Sequence, residues 1–237
     1  MKVVIISKNK LIISIGALIL MLLVFSYCGK DNINTFLIES PNEPIRNGDP
    51  KSNKMAITCN VDWGNEVLSK LLDILEEKNV KITFFITGRW ASNNPDLLKL
   101  IYAKEHEIGN HAYSHKMHSK INAQQNYDEI YKTEEIIKNI LGIDLKYFAP
   151  PAGDFSNTTL EVANRLGYKT ILWSIDTIDW REDSTAPVII NRVMKKPHQG
   201  AILLMHPKPA TIEALPYIID KIRKEGIEIG TVSDLLE

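Results

Sequence analysis

The sequence predicts an α/β fold, a distorted (β/α) barrel of about seven units, preceded by one N-terminal transmembrane or signal-anchor helix. Three observations carry this. From residue 54 onward, short apolar runs alternate with amphipathic ones, and short connections between them require parallel strands with helices packed outside. About seven repeats favour a closed or nearly closed barrel over an open sheet. Ahead of them, residues 11–28 contain no charged side chain and are rich in Leu, Ile, Val and Met. At about 1.5 Å of rise per residue, that run approaches the thickness of a hydrocarbon core.

The elements follow in order. Residues 55–59 read as a strand. Residues 67–78 read as a helix with Leu68, Leu71, Leu72 and Leu75 on one face. The β-branched and aromatic run 81–86 is a strand. Pro95 opens a helix over 96–104, and 107–110 is a short strand. A helix over 127–141 closes at Gly142. A strand at 145–148, a helix at 158–166 closed by Gly167, and a strand at 170–175 come next. Helix 187–195, strand 201–205, helix 212–224 and strand 227–230 complete the pattern.

Three segments result: 1–28 an anchor or signal segment, 29–53 a polar linker with Pro41, Pro44 and Pro50, and 54–237 the domain. Lys2, Lys8 and Lys10 precede the apolar run, which places the N-terminus in the cytoplasm and exports the rest. The expectation is a membrane-anchored domain outside the cytoplasm. A lipoprotein attached at Cys28 is the second reading, against which Tyr27 is bulky, and a secreted, cleaved form is the third. The two cysteines build no disulfide framework. With 28 Lys+Arg against 29 Asp+Glu, no basic field recruits nucleic acid.

Polar clusters follow predicted strands 1, 3, 4, 5 and 6, so all fall on the rim where such barrels carry their chemistry. In His111-Ala-Tyr-Ser-His115 two imidazoles can serve one divalent metal. Asp62 can add a carboxylate oxygen, leaving positions open for water and substrate. His206 ends an apolar strand and suits a general acid, with Asp176 as the acidic partner that fixes its tautomer. His106 and His118 read as surface residues.

These clusters, in this order, resemble the five motifs of the polysaccharide deacetylases (NodB-homology domain, carbohydrate esterase family four). Thr83-Phe-Phe-Ile-Thr-Gly88 and Glu107-Ile-Gly-Asn-His111 agree as well, so the resemblance spans about 54–237. Trp63-Gly64 after the first motif is similar to the sporulation-associated, deacetylase-like members. The resemblance implies a metal-dependent hydrolase that removes N-acetyl groups from a cell-wall or extracellular polysaccharide. Its implied partner is an N-acetylated glycan, peptidoglycan or similar. One divalent ion is implied, zinc first, with cobalt or nickel as alternatives. His111, His115 and Asp62 would hold the metal, His206 and Asp176 would serve the leaving group, and Trp180, Pro150 and Leu204 would line the groove.

Two motifs depart from the family. Asn60 stands where the family's catalytic base should be, and Asn accepts no proton from water at neutral pH. One extra residue in this loop would bring Asp62 to the metal-ligand role. Ala149 stands where the family has the arginine that pairs with the base, and Ala152 where it has an aromatic. Loss of both charges together is coherent, since an arginine without its carboxylate would be buried and unpaired. Asp62 is a candidate substitute base if it binds no metal, which the two histidines would then hold alone. Asp154 is another candidate, though a turn role suits it better. Hydrolysis and glycan binding without turnover are therefore both open.

Overall fold

A computed structural model describes residues 43–237. The anchor expected over 1–28 and the linker up to residue 42 lie outside the described residues. Among the described residues no helix is long and apolar enough to cross a membrane.

The sheet comprises β1 (Lys54–Val61), β2 (Thr83–Ile86), β3 (Glu107–Asn110), β4 (Tyr147–Phe148), β5 (Lys169–Thr170), β6 (Ile175–Asp176), β7 (Ile202–Met205) and β8 (Glu228–Gly230). Their order is β5-β4-β3-β2-β1-β7-β6, with β8 on β1. Every pairing between these strands is parallel. The helices are α1 (Asn65–Glu77), α2 (Gly88–Asn93), α3 (Pro95–Ala103), α4 (Ala123–Leu141), α5 (Asn157–Arg165), α6 (Ala186–Met194), α7 (Pro209–Lys224) and α8 (Val232–Leu236). The α/β class and the parallel strands are as the sequence predicts, and the sheet curls into a distorted barrel.

One predicted strand is broken. The run 170–175 pairs its start with β4 and its end with β7. Residues 171–174 cross from one end of the sheet path to the other, so four residues join its two edges. The gap is bridged by a segment ahead of the predicted domain start. The Ile45 N–H donates to the Thr170 carbonyl at 2.8 Å, the Leu172 N–H to the Ile45 carbonyl at 2.8 Å, and the Gly48 N–H to the Gly200 carbonyl at 2.7 Å. The folded unit thus takes in residues before Lys54. Gly200 has φ +68, and a Cβ there would lie 2.4 Å from the Asp49 carbonyl oxygen. Gly200→Ala is therefore expected to cost about 1–3 kcal/mol of stability. Urea unfolding of the full chain checks this, and an unchanged midpoint would remove the 45–49 strap from the folded unit.

β1 alternates between two apolar layers. Met55, Ile57, Cys59 and Val61 join the large cluster shared with the helices. Ala56 joins the smaller cluster with Phe85, Tyr147, Ala149, Ile171 and Ile202 inside the barrel. Period-two geometry puts Asn60 on the Ala56 side. The interior is full where Gly109 lies, since a Cβ there would meet the Phe85 ring at 2.4 Å.

Two short helices escape a reading by periodicity. α2 starts on a glycine and is capped by the Thr87 hydroxyl, which accepts from the Trp90 N–H. α8 is held by a capping box between Thr231 and Asp234, a spacing visible in the sequence.

Candidate active site

At the carboxyl ends of the strands lies a cleft of about 430 Å³ lined by Asn60, Trp63, His111, His115, Ala152, Trp173, Asp176, Trp180, Leu204 and His206. Seven of the nine site residues expected from the sequence meet there. Pro150 is buried and is not part of this lining, and neither is Asp62.

The histidine loop leaves β3 under tension. Ala112 and His115 both take positive φ, +61 and +59, a conformation uncommon for residues other than glycine. Glu129 on α4, 5% exposed, restrains it. Its carboxylate accepts from the Tyr113 N–H at 3.1 Å, the Ser114 N–H at 2.7 Å and the Ser114 hydroxyl at 2.6 Å, and pairs with Lys116 at 2.9 Å. Burial pushes the Glu129 carboxyl up, but the Ser114 and Lys116 interactions outweigh it and hold it below the usual value. Asn110 adds a bond to the Ala112 N–H at 2.9 Å.

His111 is buried, and its Nδ1 lies 2.7 Å from the Ala149 carbonyl. A carbonyl only accepts, so Nδ1 carries the proton and Nε2 keeps its lone pair. Burial, with His115 beside it, pushes the His111 pKa down to about 3. The two rings stand 5.2 Å apart at 76°. Ala149, where the resemblance expects an arginine, thus orients this histidine through its backbone carbonyl.

The partner of His206 is Asp179, which corrects the sequence pairing with Asp176. His206 Nδ1 lies 2.7 Å from Asp179 Oδ1, the His206 N–H donates to Oδ2 at 2.7 Å, and the Thr211 hydroxyl donates to Oδ2 at 2.6 Å. Burial pushes the Asp179 carboxyl up, but the His206 and Thr211 bonds outweigh it and leave it below the usual range. Asp176 instead accepts from the Ile178 N–H at 2.7 Å, and burial raises its pKa. The reason is the turn after β6: Ile178 takes φ +51, and the chain doubles back so that residue 179 faces His206.

Asp62 is also corrected. Its carboxylate accepts from the Thr87 hydroxyl at 2.7 Å and pairs with Arg89 at 2.6 Å, facing a neighbouring groove shared with Asn65 and Asn94. The extra loop residue needed to bring it round is not within β1. The β1–β2 register runs unbroken from Thr58↔Thr83 to Val61↔Ile86. Val61 therefore directly follows Asn60, and its side chain is fully buried in the helix-facing core.

The donor set does not fit the metal expected from the sequence. His111 and His115 provide two imidazoles, but the carboxylate meant to join them is committed to Arg89. Among the described residues no group of three His, Cys, Asp or Glu side chains is placed to hold an ion.

Other expectations change as well. The Asp154 carboxylate is committed to a tie between loops, accepting from the Ser119 N–H at 2.7 Å and the Ser119 hydroxyl at 2.8 Å, while its own N–H closes a turn on the Pro151 carbonyl. His106 and His118 are buried, not on the surface. His106 Nδ1 accepts from the Ile82 N–H at 3.2 Å. His118 Nδ1 lies 2.6 Å from Asn126 Oδ1.

Sequence reasoning missed two cleft walls. Trp63 stacks on His206 with centroids 5.9 Å apart and carries the Lys208 ammonium 4.6 Å from its ring centre. Trp173 sits in the four-residue crossing between β5 and β6, where a continuous strand was expected. Trp180 is 58% exposed at the mouth.

Comparison with known proteins accords with this geometry. The polysaccharide deacetylase family matches residues 47–171. The uncharacterized protein YlxY of Bacillus subtilis is 41% identical over 195 residues, covering 82% of this chain and 61% of YlxY. The peptidoglycan-N-acetylmuramic acid deacetylase PdaA of Bacillus subtilis is 32% identical, covering 80% of this chain and 73% of PdaA. Among solved structures, BA3943 from Bacillus anthracis, described as a family-four pseudoenzyme, superposes with TM-score 0.80 at 38% identity, covering 82% of this chain and 69% of that one. A mutant of it with restored enzymatic activity superposes equally well, at 36% identity. The match over more than half of the chain and the level of identity settle its membership: this chain belongs to the polysaccharide deacetylase family.

Proposed function

We propose that this chain is a deacetylase-family domain that binds an N-acetylated glycan of the peptidoglycan kind and has lost hydrolysis. The observation that carries the reading is the contrast within one cleft. Asn60 and Val61 occupy consecutive positions where the family's two acids would stand, while the Asp179–His206 pair and the tryptophan walls are complete. Aromatic faces suit the apolar faces of sugar rings, and imidazole and carboxylate groups suit their hydroxyls. The similarity to a named peptidoglycan deacetylase and to a pseudoenzyme supports both halves of the reading.

The family's metal dependence does not carry over to a step here, because among the described residues no carboxylate joins His111 and His115. The zinc, cobalt or nickel expected from the sequence would meet two nitrogens only. The apolar run 11–28 and its basic flank support a tether with the domain outside the cytoplasm, where such a glycan is met. Lipoprotein and secreted forms are the alternatives.

The Asp179–His206 pair favours a second reading, turnover with another group as base. The test is to incubate the full chain, with and without zinc, with peptidoglycan fragments and measure both retention and acetate. Binding without acetate is expected. Metal-dependent acetate release by the unmodified chain would overturn the loss of hydrolysis.

A further inference from the structure

Asn60 Oδ1 is the one buried side-chain oxygen among the described residues without a hydrogen-bond partner. The residue is 5% exposed, lies on the barrel-interior side of β1, and lines the cleft with Leu204, His111 and His206. A buried acceptor left unmade costs about 1–3 kcal/mol, so a donor brought by a ligand has an incentive to meet it.

An amide in place of a carboxylate changes what that donor should be. A carboxylate only accepts, whereas a carboxamide accepts at Oδ1 and donates at Nδ2. Its natural counterpart is a second amide, whose N–H reaches Oδ1 while its carbonyl takes a hydrogen bond from Nδ2. The acetamido group of an N-acetylated sugar is such a counterpart. A free amino sugar offers an ammonium and no carbonyl. We propose that Asn60 reads the intact acetamido group, so that the cleft discriminates acetylated from deacetylated glycan. This rests on the glycan-binding reading above and gives its specificity a residue.

An ammonium can meet Oδ1, but it offers Nδ2 no acceptor and must give up its own hydration to enter a buried site, whereas an acetamide pairs with both atoms of the carboxamide without that cost. The test is titration of the full chain, with a chelator present, using the tetramer of N-acetylglucosamine and the tetramer of glucosamine. The unmodified chain is expected to prefer the acetylated tetramer by about tenfold, or about 1.4 kcal/mol. In Asn60→Ala the ratio should fall to about one. Asn60→Asp keeps the side-chain size and an acceptor, loses the donor and attracts ammonium, so its preference should fall or invert. Trp180→Ala should weaken both ligands alike. If Asn60→Ala and Asn60→Asp keep the unmodified ratio, the acetamide role falls and glycan binding stands. If binding requires zinc, the ligand is held through an ion at His111 and His115 rather than by Asn60, and the inference falls. If the unmodified chain binds neither tetramer nor peptidoglycan fragments, the functional reading falls with it.

Discussion

Acidification is expected to unfold this domain well before its carboxylates are neutralised. His106, His111 and His118 are buried, and burial lowers the pKa of all three below 6.5, to about 4 for His106 and about 3 for His111. The unfolded chain takes up their protons near pH 6.5 while the folded chain refuses them. Stability therefore falls as pH drops below 6.5. The His106 contribution is fully lost near pH 4 and that of His111 near pH 3. Each such group contributes about 1.4 kcal/mol per pH unit inside its window. His106 and His111 together give a slope of up to about 3 kcal/mol per unit, to which His118 adds in the same direction, against a total stability of about 5–15 kcal/mol for ordinary domains. Glu129 and Asp179, both held below their usual values, add to the loss only below about pH 4.5. Urea midpoints of the full chain at pH 7.5, 6 and 5 check this. A flat profile over that range would contradict the buried, neutral state of the three rings.

Removing the Asp179 carboxylate should have the next largest effect. Asp179→Ala strands the His206 N–H, the His206 ring and the Thr211 hydroxyl in a buried place. Breaking such a set by deleting one partner costs about 3–5 kcal/mol. Glycan affinity should fall too, because His206 loses the group that orients it against Trp63. Asp176→Ala removes the bond from the Ile178 N–H and the contact with the Trp173 side chain and should cost about 1–2 kcal/mol. Comparing the two by chemical unfolding separates the roles. Equal losses would restore Asp176 as the partner of His206.

Much of this was legible in the sequence, and the failures share a cause. Amphipathic spacing and β-branched runs give α1, α3 and the parallel strands because those signals are local. The rim clustering of His111, His115, Asn60 and His206 follows from strand–helix alternation alone. What is not local is where a loop turns its side chains. Positive φ at Ile178 hands His206 to Asp179, three residues beyond the residue expected. The unbroken β1–β2 register sends Asp62 past the cleft to Arg89. Burial of His106 and His118 depends on α4 and the neighbouring strands closing over them, which spacing along the chain does not encode. The break at 171–174 follows from pairing with two different strands, again a tertiary matter.

The strap formed by residues 45–48 has a mechanical consequence. Tension applied through the N-terminus, as a tether to a surface would apply it, enters the domain at Ile45 and Gly48. It loads the backbone bonds to Thr170, Leu172 and Gly200 first. Those bonds lie at the seam, and the same short crossing carries Trp173 to the wall of the cleft. Strain that reaches the strap is therefore passed along one stretch of backbone to the wall of the cleft, so the position of Trp173 is coupled to the load on residues 45–48.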